Sequence, residues 1–130
     1  MAQGDRLDTV LVIDDEPVLC EFAAEVLKRN GFQVVTTTDP RKWKQACGQL
    51  VPDVAILDLF MPERDGLETM RELRDAWPSI RIVAVSGSVP VASKAALKAA
   101  AHLGADHALA KPFTEETLVG IVRQLLSAKA

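Results

Sequence analysis

Apolar runs rich in β-branched residues alternate with longer amphipathic segments five times along this chain. The runs are TVLVI (9–13), FQVVTT (32–37), VAILDL (54–59), RIVAVS (81–86) and HALA (107–110), and their length and composition read as strands. The middle runs are apolar at successive positions, the pattern of strands covered on both faces. Between them the spacing predicts helices. Val18, Leu19, Phe22, Ala23, Val26 and Leu27 form one stripe after Pro17, with Gly31 as a stop. Asp39-Pro40 opens a second helix with Trp43, Ala46, Cys47 and Leu50 on one face. A third carries Leu67, Met70, Leu73 and Trp77 and ends at Pro78. A fourth, over 92–103, is alanine-rich with Leu97 and Leu103 as its large anchors, so it is expected to be the most weakly held. The last starts at Thr114 as N-cap, sets Glu115 and Glu116 against the helix dipole and buries Leu118, Ile121, Val122, Leu125 and Leu126.

This β/α alternation is the signature of an α/β fold with a parallel sheet. Right-handed crossovers and helices on both faces make 2-1-3-4-5 the natural order for five strands, as in flavodoxin-like doubly wound sheets. No linker or repeat divides residues 1–130, so one domain is expected, with its core at 8–127. At 130 residues and 48% hydrophobic, the chain can bury roughly two-thirds of its unfolded surface. Net charge is −3 with basic residues scattered among acidic ones, which gives no footprint for direct nucleic-acid or membrane binding. The first ten residues hold no apolar signal region and no run is long enough to span a bilayer, so a cytoplasmic protein is expected. Cys20 and Cys47 show no metal-ligand spacing and fall on apolar helix positions, as reduced core thiols do.

In a doubly wound sheet the ligand site lies beyond the carboxyl ends of the strands, at the switch point between strands 1 and 3. Strand 1 ends in Asp14-Asp15, strand 3 in Asp58, strand 4 in Ser86 and strand 5 in Lys111-Pro112. Three carboxylates in one place repel one another and call for a cation. Hard oxygen ligands without a well-placed cysteine or histidine suit Mg²⁺ better than Zn²⁺. A carboxylate beside Mg²⁺ and an ammonium can attack a phosphoryl group, with Lys111 and the Ser86 hydroxyl binding its oxygens. Taken singly, Asp15 or Glu16 suits a helix cap, Ser86 a turn and Lys111 a solvated surface. Asp58 interrupts an apolar strand, where an unpaired charge is costly.

The stretches VLVIDDEP, VAILDLFMPERDGLE, VAVSG and GADHALAKPF, in this order, resemble the receiver domain of two-component response regulators. The resemblance implies that Asp14 and Asp15 hold Mg²⁺, Asp15 more directly, and that Asp58 is the phosphoacceptor. It further implies the Phe60 carbonyl as a metal ligand, Ser86 as switch hydroxyl, Lys111 as phosphate-binding lysine, and a cis bond before Pro112. The implied partners are a sensor histidine kinase or a phosphotransfer protein upstream and a protein target downstream. Such a chain is not an enzyme beyond assisting its own phosphorylation and dephosphorylation. Two departures stand out. Ala108 occupies the place three before Lys111 where receivers carry Tyr or Phe, with His107 beside it, and SGSVPVASK makes the loop after strand 4 longer than common. Switching is therefore expected in residues 87–103. The alternatives are a receiver cut from a larger regulator and a pseudo-receiver that only binds partners. A flavin carrier would want a phosphate-binding loop where DDEP stands, and an aspartyl phosphatase would want Asp-x-Asp.

Overall fold

Strand β1 (Thr9–Ile13) pairs in parallel with β2 (Gln33–Thr37) on one side and β3 (Val54–Asp58) on the other. Beyond β3 follow β4 (Arg81–Ser86) and β5 (His107–Ala110), also parallel. The order is therefore β2-β1-β3-β4-β5, the expected 2-1-3-4-5. These positions come from a computed structural model that describes residues 7–61, 64–87, 95, 98, 99, 101, 102 and 104–129.

Alternation along β1 divides the core. Val10 and Val12 pack with residues of helices α1 (Pro17–Arg29) and α4 (Glu115–Lys129), while Leu11 and Ile13 pack with α2 (Trp43–Cys47) and α3 (Gly66–Ala76). Successive side chains point to opposite faces, so a strand with every position buried needs helices on both sides. Two carboxylates stitch the amino ends of strands: Thr9 N–H donates to Asp53 Oδ2 at 2.9 Å, and Ile82 N–H to Asp106 Oδ2 at 2.8 Å. Among the described residues no helix is long and apolar enough to cross a membrane.

Thr114 caps α4 as expected, its Oγ1 accepting from the Thr117 amide at 3.1 Å. Cys20 and Cys47 are free and buried. Three expectations fail locally. Val18 is 78% exposed, and Cys20, Ala23, Val26 and Leu27 carry the buried face of α1. The second helix is a 3₁₀ turn over Pro40–Lys42 followed by the short α2, which Gly48 ends at φ 59. Ala46 is consequently exposed and Leu50 lies past the helix, also exposed. Residues 95, 98, 99, 101 and 102 are helical. Leu97 and Leu103 lie outside the described residues.

Candidate functional site

The ends of four strands meet at the carboxyl edge. Asp14 follows β1, and its amide extends the ladder to the Thr37 carbonyl at 3.2 Å. Asp58 is the last residue of β3 and Ser86 the last of β4. Lys111 follows β5 with its amide on the Ser86 carbonyl at 2.9 Å. The backbone thus fixes where each side chain starts. The Lys111-Pro112 bond is cis.

Asp14 and Asp58 are buried, at 2% and 3% exposure. One oxygen of each accepts a nearby amide: Glu16 N–H reaches Asp14 Oδ1 at 2.9 Å, and Phe60 N–H reaches Asp58 Oδ1 at 3.0 Å. The other oxygens face Lys111, whose Nζ lies 2.9 Å from Asp14 Oδ2, 3.3 Å from Asp58 Oδ2 and 2.8 Å from Glu16 Oε2. The Cys20 thiol donates to the Asp14 carbonyl at 3.3 Å and holds that residue from behind. Ser86 is fully buried, and its hydroxyl donates to the Gly87 carbonyl at 3.5 Å.

Burial pushes the Asp58 carboxyl up to about 6, helped by the Asp14 charge and opposed by the Phe60 amide and Lys111. Burial raises Asp14 as well, against the pull of Lys111 and the Glu16 amide. For Lys111 burial acts downward, but the carboxylates of Glu16 and Asp14 outweigh it and hold the ammonium above its ordinary range. Burial, then the Asp14 charge, pushes the Cys20 thiol up to about 11, leaving it an inert thiol at neutral pH.

Oxygens of Asp14, Asp15, Glu16 and Asp58 lie within 4.8 Å of one another. Four carboxylates, three of them against a single ammonium, leave an excess of negative charge in an all-oxygen donor set, which suits a hard divalent cation such as Mg²⁺. Glu16 is the member of this group that the sequence left out of the site, with a helix cap as its reading, as for Asp15 taken singly. It does stand at the N-cap of α1, yet its side chain makes no capping bond there and reaches Lys111, 95 positions away. The acidic run DDE was the signal that could have drawn it in.

The segment after Asp58 turns back at once. Phe60 and Met61 pair antiparallel with Asp65 and Arg64, a bridge that the sequence did not suggest, and Phe60 is 50% exposed. Gly66 then packs on the backbone just past β3: a Cβ there would lie 2.6 Å from Leu59 Cα and 3.0 Å from the Asp58 carbonyl oxygen. Beside the cluster opens a groove of about 570 Å³ lined by Glu16, Lys111, Val18, Phe22 and Phe113, among others. Ala108 is half-buried, in register with Ala84 of β4, and His107 with Val83.

The sequence matches the response regulator receiver domain family over residues 10–123. It is 34% identical over 118 residues to a probable transcriptional regulatory protein, TcrX, of Mycobacterium tuberculosis, covering 91% of this chain and 49% of that protein. The chain thus spans about half the length of such a relative. Among solved structures, a CheY-like receiver domain protein of Methanospirillum hungatei superposes with a TM-score of 0.84 at 18% identity, covering 95% of this chain and 96% of that one. A receiver domain protein of Clostridium thermocellum does so at 0.80 with 26% identity, over 95% and 97%.

Proposed function

Since the chain belongs to the response regulator receiver-domain family, we propose that it is a phosphorylation switch whose acceptor is Asp58. The observation that carries this reading is the placement of Asp58: a buried carboxylate with one oxygen held by the Phe60 amide and the other 3.3 Å from the Lys111 ammonium, beside Asp14 and Asp15. In the transfer, an Asp58 oxygen attacks the phosphorus of a donor phosphohistidine. The P–O bond forms as the P–N bond breaks, and the leaving imidazole takes up a proton. Asp14 and Asp15 would hold Mg²⁺, with Asp58 and the Phe60 carbonyl completing the protein's share. That ion supplies compensation for the charge of the transferring phosphoryl oxygens. Lys111 binds one of those oxygens, and the Ser86 hydroxyl turns from the Gly87 carbonyl to another. Beyond forming and losing its own phosphate, no catalysed reaction is assigned to the chain.

The groove is lined by Glu16 and Lys111, the outer members of the cluster, so the donor, a histidine kinase or a phosphotransfer protein, approaches along it. Output passes by protein contact. With Ala108 small, the segment after Gly87 is the switching element. That segment, 87–103, lies outside the described residues apart from 87, 95, 98, 99, 101 and 102.

Acetyl phosphate with Mg²⁺ is expected to add one phosphoryl group, located on Asp58 by peptide mass spectrometry and lost in EDTA. Phosphate on another side chain, or labelling that survives chelation, overturns the reading. Dephosphorylation supplies a separate expectation. Water must attack the phosphorus in line as the P–O bond to Asp58 breaks, and the half-exposed ring of Phe60, two residues past Asp58, would exclude that water without offering it a hydrogen bond. Phe60→Asn should therefore speed loss of phosphate about threefold to tenfold, followed by phosphate release from purified phosphoprotein. Equal or slower decay removes Phe60 from the mechanism.

A further inference from the structure

Lys111 has three carboxylate partners, and they differ in one respect. Asp14 and Asp58 are buried and each is pinned by a backbone amide, so neither can leave. Glu16 is different: its side chain is 63% exposed, makes no capping bond to α1, and still makes the shortest contact with the ammonium, 2.8 Å. Its carboxylate also falls within 4.8 Å of an Asp58 oxygen, the space an incoming phosphoryl group would enter. A group in that place competes for the lysine and repels the arriving anion.

We propose that Glu16 is a positioning residue that holds the Lys111 ammonium while Asp58 is unphosphorylated and restrains phosphorylation until it lets go. The inference rests on the receiver reading above. The ammonium passes from Glu16 to a phosphoryl oxygen as the new P–O bond forms, and the freed carboxylate swings into solvent. Glu16 thereby sets a threshold: a donor must displace it, which keeps weak or accidental donors from filling the site. Because an ion pair with so exposed a member is weak, the restraint is graded and amounts to about threefold to fivefold.

The experiment uses the full chain at saturating Mg²⁺, with Glu16→Gln and Glu16→Asp. Gln removes the charge and keeps the length, whereas Asp keeps the charge but is one methylene too short to span the contact. Beryllofluoride affinity is read from amide resonances, and the acetyl phosphate labelling rate is measured in parallel. Glu16→Gln should bind beryllofluoride about threefold to fivefold more tightly and label faster by a similar factor, and Glu16→Asp should move both in the same direction by less. Equal or weaker affinity in Glu16→Gln overturns the restraint. A gain in Glu16→Gln with none in Glu16→Asp shows a diffuse charge effect with no hold on Lys111, and overturns the positioning role. A wild type that neither labels on Asp58 nor binds beryllofluoride refutes the receiver reading itself, and this inference with it. That outcome is distinguished from the others by the wild type alone.

Discussion

Asp58→Asn is expected to abolish phosphorylation and, in metal-free buffer at pH 7, to make the protein more stable by about 2 kcal/mol. Burial holds the Asp58 carboxyl at about 6, against an ordinary value of 3.8. Between those two values the folded protein keeps a proton that the unfolded chain has released. Stability therefore falls as pH rises through this window, and the favourable contribution is fully present only below the unfolded value. Above about pH 6 the charged, buried Asp58 costs the fold about 3 kcal/mol, two units at about 1.4 kcal/mol each. Asparagine keeps an oxygen for the Phe60 amide and removes that cost, in which the pull of Lys111 is already counted. Lys111 retains Asp14 and Glu16, and burying the asparagine NH2 brings the net gain down to about 2 kcal/mol. Urea unfolding of wild type and variant in EDTA gives the test. The gain should be large at pH 7 and vanish near pH 4, where wild-type Asp58 is itself protonated. A gain that is the same at both pH values, or a loss at pH 7, contradicts this account of the site. The site is then a local sacrifice of stability for chemistry.

Gly66→Ala should destabilise the protein by about 3 kcal/mol and slow phosphorylation of Asp58 about tenfold or more. The new Cβ would fall 2.6 Å from Leu59 Cα and 2.9 Å from the Leu59 carbonyl oxygen. Both are backbone atoms, so no rotamer change relieves the contact and the chain itself must move. It is held on both sides: Leu59 N–H donates to the Val85 carbonyl at 2.9 Å, and Gly66 N–H donates to the Leu59 carbonyl at 3.3 Å. Any shift is passed to Asp58, one residue away, and to the Phe60 amide that holds its oxygen. Chemical unfolding and the acetyl phosphate labelling rate read the two effects independently. A variant as stable as wild type would mean that the loop from 59 to 66 can open at little cost.

Positions at strand ends were legible because a parallel sheet converts sequence order into spatial order. Once VLVI, VAIL and RIVAV are strands, Asp14, Asp58 and Ser86 must stand along one edge, and the Lys111 amide joins them through the same ladder. Helix faces were less legible. The stripe through Val18 and Leu19 has the same period as the buried face through Cys20, Ala23 and Leu27. The difference is set by what each position packs against: Cys20, Ala23 and Leu27 join the core beside Val10 and Val12, whereas Val18 is 78% exposed and lines a groove. The apolar spacing that included Leu50 likewise could not register that Gly48 would take a positive φ and end α2 after Cys47.

By itself, then, the sequence determined the alternation of strands and helices, the parallel order of the sheet and the set of polar residues at its carboxyl edge, since each follows from local periodicity and the handedness of crossovers. The tertiary structure alone decided that Lys111 would be shared by Asp14, Asp58 and Glu16, that Asp58 would be buried deeply enough to resist ionisation, and that Gly66 would lie against the backbone beside it. Those outcomes depend on distances between residues up to 95 positions apart and on how much water the packed helices exclude, quantities that no window of sequence contains.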